Sequence, residues 1–223
     1  MARYERNSPA ISSEEQTQLA SKRVLIAGCG GLGGYIIEFL GRIGVGHLTV
    51  VDGDVFADSN LNRQLLSSEE TLGKPKPQCA EERMRIVNPL VTVTPVCTFI
   101  DASNALELLS GHDVIIDALD NGPARLILAN AARRLKIPLV SGAISGWRGR
   151  VFVVLPNDSA EFFWSGQTGM ASGNLCFTAS SVASVQAAET VKLLLGRPGV
   201  LKDRMLEFDL LRGEWEDIPL KWC

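Results

Sequence analysis

The chain has 223 residues, 46% hydrophobic and 21% charged, an ordinary globular composition that rules out disorder and is large enough to bury one substantial core. A formal net charge of −3 argues against a general nucleic-acid binder. The polar opening Met1-Ala-Arg-Tyr-Glu-Arg-Asn lacks the apolar centre of a signal peptide. The apolar stretch 175–195 is broken by Thr178, Ser180, Ser181, Ser184, Gln186 and Glu189, so neither membrane insertion nor export is expected, and the reading is cytoplasmic.

In chain order, Ser12-Ser-Glu-Glu-Gln carries capping chemistry and predicts a short helix ending near Ala20, closing an N-terminal arm and helix over 1–21. Val24–Ala27 is an unalternated apolar run, which suits a strand buried on both faces of a parallel sheet. Gly28, Gly30 and Gly33 follow in the G-x-G-x-x-G spacing. Gly28 permits a tight turn, Gly30 lets backbone approach a phosphate, and Gly33 lets a helix over about Leu32–Ile43 pack close to the strand. That helix would aim its free N–H groups at an anion. A second strand, His47–Val51, ends at Asp52, the position of an acid that holds a ribose hydroxyl.

Residues 52–77 are too rich in Asn, Asp, Ser and Pro for a long element and read as a functional loop. A helix over about Gln78–Val87 stops at Asn88-Pro89, and Val91–Val96 alternates as a strand. Asp101 or Ser103 caps another helix, Val114–Ala118 is a buried strand, and Arg125–Leu135 is helical. Pro138–Ser141 and Arg150–Leu155 are strands, 156–173 is a glycine-rich loop, and a long helix over about Leu175–Leu195 has Gly196 as its cap. Arg204–Leu210 and Trp215–Leu220 close the chain as strands. Repeated β-α-β units followed by extra strands imply an α/β fold: a Rossmann-like, doubly wound, mainly parallel sheet with antiparallel C-terminal strands.

Cysteines 29, 79, 97, 176 and 223 form no C-x-x-C pair; the first four read as small buried apolar residues and the last as exposed. His47 and His112 stand singly and read as structural, so no zinc site is expected. Three polar clusters carry the chemistry. In the first, Asp52 and Asp54 are followed within one loop by Asn60, Arg63 and Gln64. Hydride transfer needs no such pairing of signs, whereas a triphosphate with a divalent ion uses both carboxylate and guanidinium. The second is Gly73-Lys-Pro-Lys76-Pro, and the third is Asp117-Ala-Leu-Asp120-Asn121 at the end of the fourth parallel strand.

This ordered set resembles the HesA/MoeB/ThiF family, the bacterial relatives of ubiquitin-activating enzymes. It comprises Arg3-Tyr-x-Arg6, Gly28-x-Gly-Gly-Leu-Gly33, Asp52-x-Asp54, Ser59-Asn60-Leu-x-Arg63-Gln64, Gly73-x-Pro-Lys76, Asn88-Pro89, Asp117-x-x-Asp120-Asn121 and Pro138-Leu-Val-Ser-Gly142, with Gln186-x-x-Glu189 beyond. The resemblance implies one adenylyltransferase domain over 1–223. Its reaction would activate the C-terminal glycine carboxylate of a small ubiquitin-like sulfur-carrier protein ending in Gly-Gly, using ATP and Mg²⁺. The products would be an acyl-adenylate and pyrophosphate, ahead of thiocarboxylate formation of the thiamine or molybdopterin/tungstopterin type.

By the same resemblance Asp52 binds the ribose, and Gly28, Gly30, Gly31 and Gly33 form the turn against the nucleotide. Asp54, Gln64 and Asn121 complete its surroundings, while Asn60, Arg63 and Lys76 contact phosphates. Asp120 organises Mg²⁺ through the ATP. Arg6 reaches the partner subunit's ATP, which implies a homodimer. Arg6, Arg63, Lys76 and Asp120 are the expected catalytic residues. Two departures stand out: the paired zinc cysteines of many members are absent, and Trp164-Ser-Gly-Gln-Thr-Gly-Met-Ala-Ser-Gly173 holds no cysteine. Cys176 falls within the start of the long helix and reads as structural. The alternatives are a tRNA-modifying ATP-dependent dehydratase of the same superfamily and an NAD-binding oxidoreductase.

Overall fold

A computed structural model describes residues 2–158 and 173–220. Its elements are α1 (Ser13–Ala20), β1 (Arg23–Ala27), α2 (Gly33–Ile43), β2 (His47–Val51), α3 (Lys76–Val87), β3 (Thr92–Val96) and α4 (Ala105–Leu109), then β4 (Val114–Asp117), α5 (Gly122–Leu135), β5 (Leu139–Ser145), β6 (Arg148–Val154), α6 (Cys176–Leu195), β7 (Arg204–Asp209) and β8 (Glu214–Pro219). The strands form one eight-stranded sheet in the order β3-β2-β1-β4-β5-β6-β7-β8. Pairing is parallel from β3 to β5 and antiparallel from β5 to β8, as the sequence implied.

Period-two alternation in the buried strands divides the core between two faces. Val24 and Ile26 join Ile36, Leu40, Met84, Ala179 and Val182 on one face, beneath α2, α3 and α6. Leu25 and Ala27 join Leu109, Leu128 and Ala132 on the other, beneath α4 and α5. The chain winds from β1 outward through β2 and β3, then returns to lay β4 on the other side of β1. That reversal opens a crevice beyond the carboxyl ends of β1 and β4, where open α/β sheets bind ligands. No helix among the described residues is long and apolar enough to cross a membrane.

Several boundaries differ from the sequence reading. α3 starts at Lys76 rather than Gln78, because Pro77 sits in its first turn, where a missing N–H costs nothing. α5 starts at Gly122, since Asn121 is its cap and accepts the Ala124 N–H at 2.9 Å. The 52–77 segment contains a 3₁₀ turn over Asp58–Asn60. Neither Asp101 nor Ser103 is the cap of α4; Asn104 occupies that position. Cys97 and Cys176 are exposed instead of buried, while Cys29 and Cys79 are buried as expected. Cys223 and positions 159–172 of the glycine-rich loop lie outside the described residues.

The N-terminal arm docks through Tyr4. The Asn88 side-chain amide donates to the Tyr4 hydroxyl at 2.9 Å and to the Gly41 carbonyl at 2.7 Å, joining the arm to α2 and the end of α3. His112 is half-buried, its Nδ1–H donating to the Leu109 carbonyl at 3.1 Å and its Nε2 2.8 Å from the Thr49 hydroxyl. Burial depresses its pKa from the ordinary value of 6.5. A group depressed in the folded state is neutral there while the unfolded chain still takes up a proton. Stability from His112 is therefore complete above the ordinary value and is lost as the pH falls through it. Denaturant midpoints for wild type and His112→Gln between pH 7.5 and 5.5 should converge on acidification; parallel curves would show that His112 is not the titrating group.

Candidate active site

The crevice is a cleft of about 780 Å³, within the range of small-molecule sites. Its floor is the glycine turn. Gly28 has φ 98°, and an added Cβ there would meet the Ala118 carbonyl oxygen at 2.6 Å. A Cβ on Gly33 would lie 1.8 Å from the Gly28 carbonyl oxygen, so α2 starts in direct backbone contact with the turn. Gly30 and Gly31 line the cleft above it.

Asp52 braces this turn from the end of β2. Its Oδ2 accepts the Cys29 N–H at 2.7 Å and its Oδ1 accepts the Asp54 N–H at 2.9 Å. Cys29 itself is buried, and that burial pushes its thiol well above the ordinary value, so the cysteine inside the glycine turn is no nucleophile. Lys76, only 6% exposed, places Nζ 3.1 Å from Asp54 Oδ2. This single pairing among the described residues leaves ammonium protons for a ligand. Arg63 is steadied by the Ser59 carbonyl at 2.8 Å and the Asn62 side-chain oxygen at 3.0 Å. Gln64 is buried beside Gly30, and its Oε1 has no hydrogen-bond partner among the described residues.

Asp120 and Asn121 close the opposite wall, at the end of β4. Asp120 is exposed and makes no hydrogen bond or ion pair among the described residues. Behind it lies a buried network of which the sequence reading named Asp117 and Gln186 but missed Arg125. Arg125 Nε donates to the Leu119 carbonyl at 2.8 Å and Nη2 to the Gly142 carbonyl at 3.0 Å. Asp117 accepts the Leu119 N–H at 3.1 Å and the Ser141 hydroxyl at 2.7 Å, with Arg125 Nε 3.7 Å away. Gln186 of α6 donates to the Asp117 carbonyl at 2.9 Å. Asp117 is thus a buried brace for the loop that carries Asp120. The available signal was Arg125, one helical turn past the Asn121 cap.

Of the residues singled out from sequence, Gly28, Gly30, Gly31, Asp52, Asp54, Arg63, Gln64, Lys76, Asp120 and Asn121 converge on this cleft. Gly33 lies just below it. Asn60 does not line it; its Oδ1 accepts the Ala57 N–H at 3.0 Å and shapes the 3₁₀ turn. Arg6 is exposed on the 3₁₀ helix Ala2–Asn7, away from the cleft of its own chain. No three His, Cys, Asp or Glu side chains cluster to hold a metal among the described residues. A lone exposed carboxylate still suits Mg²⁺, which binds proteins through one or two carboxylates and takes its other ligands from phosphates and water.

The chain matches the ThiF family over residues 4–222. It belongs to that family. A SAMP-activating enzyme E1 of Haloferax volcanii is 36% identical, covering 95% of this chain and 81% of that protein. The molybdopterin-synthase adenylyltransferase of Escherichia coli is 31% identical, covering 99% of this chain and 92% of the relative. Among solved structures, E. coli MccB with ATP superposes with a TM-score of 0.85 at 20% identity, over 100% of this chain and 72% of that one, a likeness of fold. Family, Rossmann-like architecture and the enzyme class of the ThiF relatives agree with the sequence reading.

Proposed function

We propose that this chain uses ATP and Mg²⁺ to adenylate the C-terminal glycine carboxylate of a small ubiquitin-like sulfur-carrier protein ending in Gly-Gly. The reading rests on one observation: within a ThiF-family chain, the glycine turn, the Asp52 carboxylate, the Arg63 and Lys76 cations and Asp120, unpaired among the described residues, share a single cleft. The whole chain acts as one catalytic domain, in the cytoplasm, and the thiocarboxylate made from the product feeds thiamine or molybdopterin/tungstopterin synthesis.

The carrier carboxylate is ionised at neutral pH, so no general base is required. Its oxygen attacks the α-phosphorus of ATP, the bond from that phosphorus to the bridging oxygen breaks, and the electron pair leaves with pyrophosphate. The residues must position the reactants and neutralise charge. Asp52 orients the ribose, and the backbone N–H groups of the turn beyond Gly28 and Cys29, whose own N–H groups go to Val51 and Asp52, are left for the phosphates. Asn60 keeps the 58–64 turn in shape while Arg63 and Lys76 hold phosphate oxygens, with Asp54 aiming Lys76. Asp120 is the residue that would hold Mg²⁺, and the ion would supply neutralisation of the charge on the leaving pyrophosphate. Asn121 fixes the loop on which Asp120 rides.

ATP–pyrophosphate exchange with each small Gly-Gly-ending carrier of the source genome is the direct test. Exchange should depend on a carrier; its absence with all of them would overturn the reading. Arg6 gives a second test, because it completes the partner's site in a homodimer. Arg6→Ala and Asp120→Ala should each be nearly inactive. After subunit exchange, half the dimers are mixed and each carries one intact site, so about a quarter of wild-type activity should return. A mixture that stays inactive after demonstrated exchange places Arg6 within its own chain.

A further inference from the structure

Phe99 is 65% exposed, yet it lines the cleft; among the described residues no other exposed large apolar side chain does so. Its ring packs against Gly53. An added Cβ on Gly53 would fall 2.6 Å from both Cδ2 and Cε2 of the ring, so the ring sits where a side chain at position 53 would displace it. The ring thus touches the residue next to Asp52, and most of its surface is exposed where it lines the cleft.

The loop that presents this ring is held in place. Asp52 N–H donates to the Val96 carbonyl at 3.2 Å, tying the end of β2 to the end of β3. Asn104 donates to the Phe99 carbonyl at 2.8 Å and accepts the Asp101 N–H at 2.9 Å. Asp101 Oδ1 takes the Ser103 N–H at 2.7 Å and the Ser103 hydroxyl at 2.6 Å. A tethered loop that keeps a phenylalanine in water gains nothing from burial there. It presents a rigid aromatic platform, which is the requirement for stacking a nucleobase.

We propose that Phe99 stacks on the base of the nucleotide and sets the preference of the site for a purine. Resting on the adenylation reading above, this extends it to a residue that neither the glycine turn nor the charged clusters include. With the ribose on Asp52, the base continues outward from the sugar onto the ring that covers Gly53. Purines offer the larger stacking area, so the platform separates ATP from CTP and UTP. Asn104 acts as a positioning residue by holding the Phe99 carbonyl.

Calorimetric titration with ATP, CTP and inorganic tripolyphosphate tests this without a carrier. Phe99→Ala should weaken ATP about 5- to 100-fold, narrow the gap between ATP and CTP, and leave tripolyphosphate unchanged. Phe99→Leu, which keeps apolar bulk and loses the π face, should behave like alanine; Phe99→Trp should restore affinity. Asn104→Ala should weaken ATP by a smaller factor. An exposed side chain makes Phe99→Ala safe for folding, and matching thermal unfolding checks that. Wild-type ATP affinity in Phe99→Ala or Phe99→Leu, or an equal loss with tripolyphosphate, overturns the proposal. Failure of the wild type to bind ATP would instead overturn the adenylation reading, so the two failures are distinct.

Discussion

Asp120→Ala should abolish carrier-dependent ATP–pyrophosphate exchange in a protein that unfolds at the same temperature as wild type. Truncating this side chain strands no buried partner, because Asp120 is exposed and unpaired among the described residues. Substitutions of that kind normally stay within about 0.5 kcal/mol of wild-type stability. The catalytic cost is different in kind. Removing a preorganised charge that acts on developing transition-state charge lowers rates by about a hundred- to a thousandfold for one group, and under the proposed function a metal ligand would be lost as well. The contrast is the informative part, since most damaging substitutions reduce stability and activity together. Undiminished exchange in Asp120→Ala would remove Asp120 from the mechanism. A fall in exchange matched by a fall in melting temperature would make it a structural residue.

Gly33→Ala should do the opposite and damage the fold at the floor of the same cleft. The new methyl carbon would be placed 1.8 Å from the Gly28 carbonyl oxygen. Both groups belong to backbone that is fixed, by β1 on one side and by the first turn of α2 on the other, so no side-chain rotation relieves the overlap. Overpacking in cores commonly costs about 1–3 kcal/mol, and a backbone collision that must lift a helix off its turn belongs at or above the upper end. Gly122→Ala is the control: an added Cβ there meets nothing within 4 Å. Urea midpoints should fall sharply for Gly33→Ala and stay put for Gly122→Ala. Equal midpoints for the two variants would mean that the turn yields more easily than its geometry indicates.

The parallel half of the sheet and most of the cleft were legible because each signal there is local. An apolar run, a glycine spacing and an acid at a strand end all lie within a few residues of one another. The β5–β6 hairpin was read short for the opposite reason. Gly142 and Gly149 break the strand pattern, yet each is dictated from far away. An added Cβ at Gly142 would fall 2.5 Å from Gln186 Cδ, and one at Gly149 would fall 2.3 Å from Phe208 Cζ. Such close approaches of a strand to α6 and β7 leave no trace in neighbouring residues. Cys97 and Cys176 were read as buried from residue type alone, but their positions at a loop and at the first residue of a helix prevail. Asn121 shows how a correct motif can hide a second duty, since its side chain caps α5 with or without a ligand.

The two hydrogen bonds of Asp52 bear on how loss-of-function variants at that position are to be interpreted. Each carboxylate oxygen already receives a backbone N–H, from Cys29 on the glycine turn and from Asp54 on the next loop. Asparagine has the same shape but a single acceptor oxygen, so one of those N–H groups would face an amide N–H₂. The acid is therefore demanded by the fold itself, independently of any ligand. Selection acting on the fold and selection acting on the ligand converge on one side chain, and an inactive Asp52→Asn protein would not by itself distinguish them.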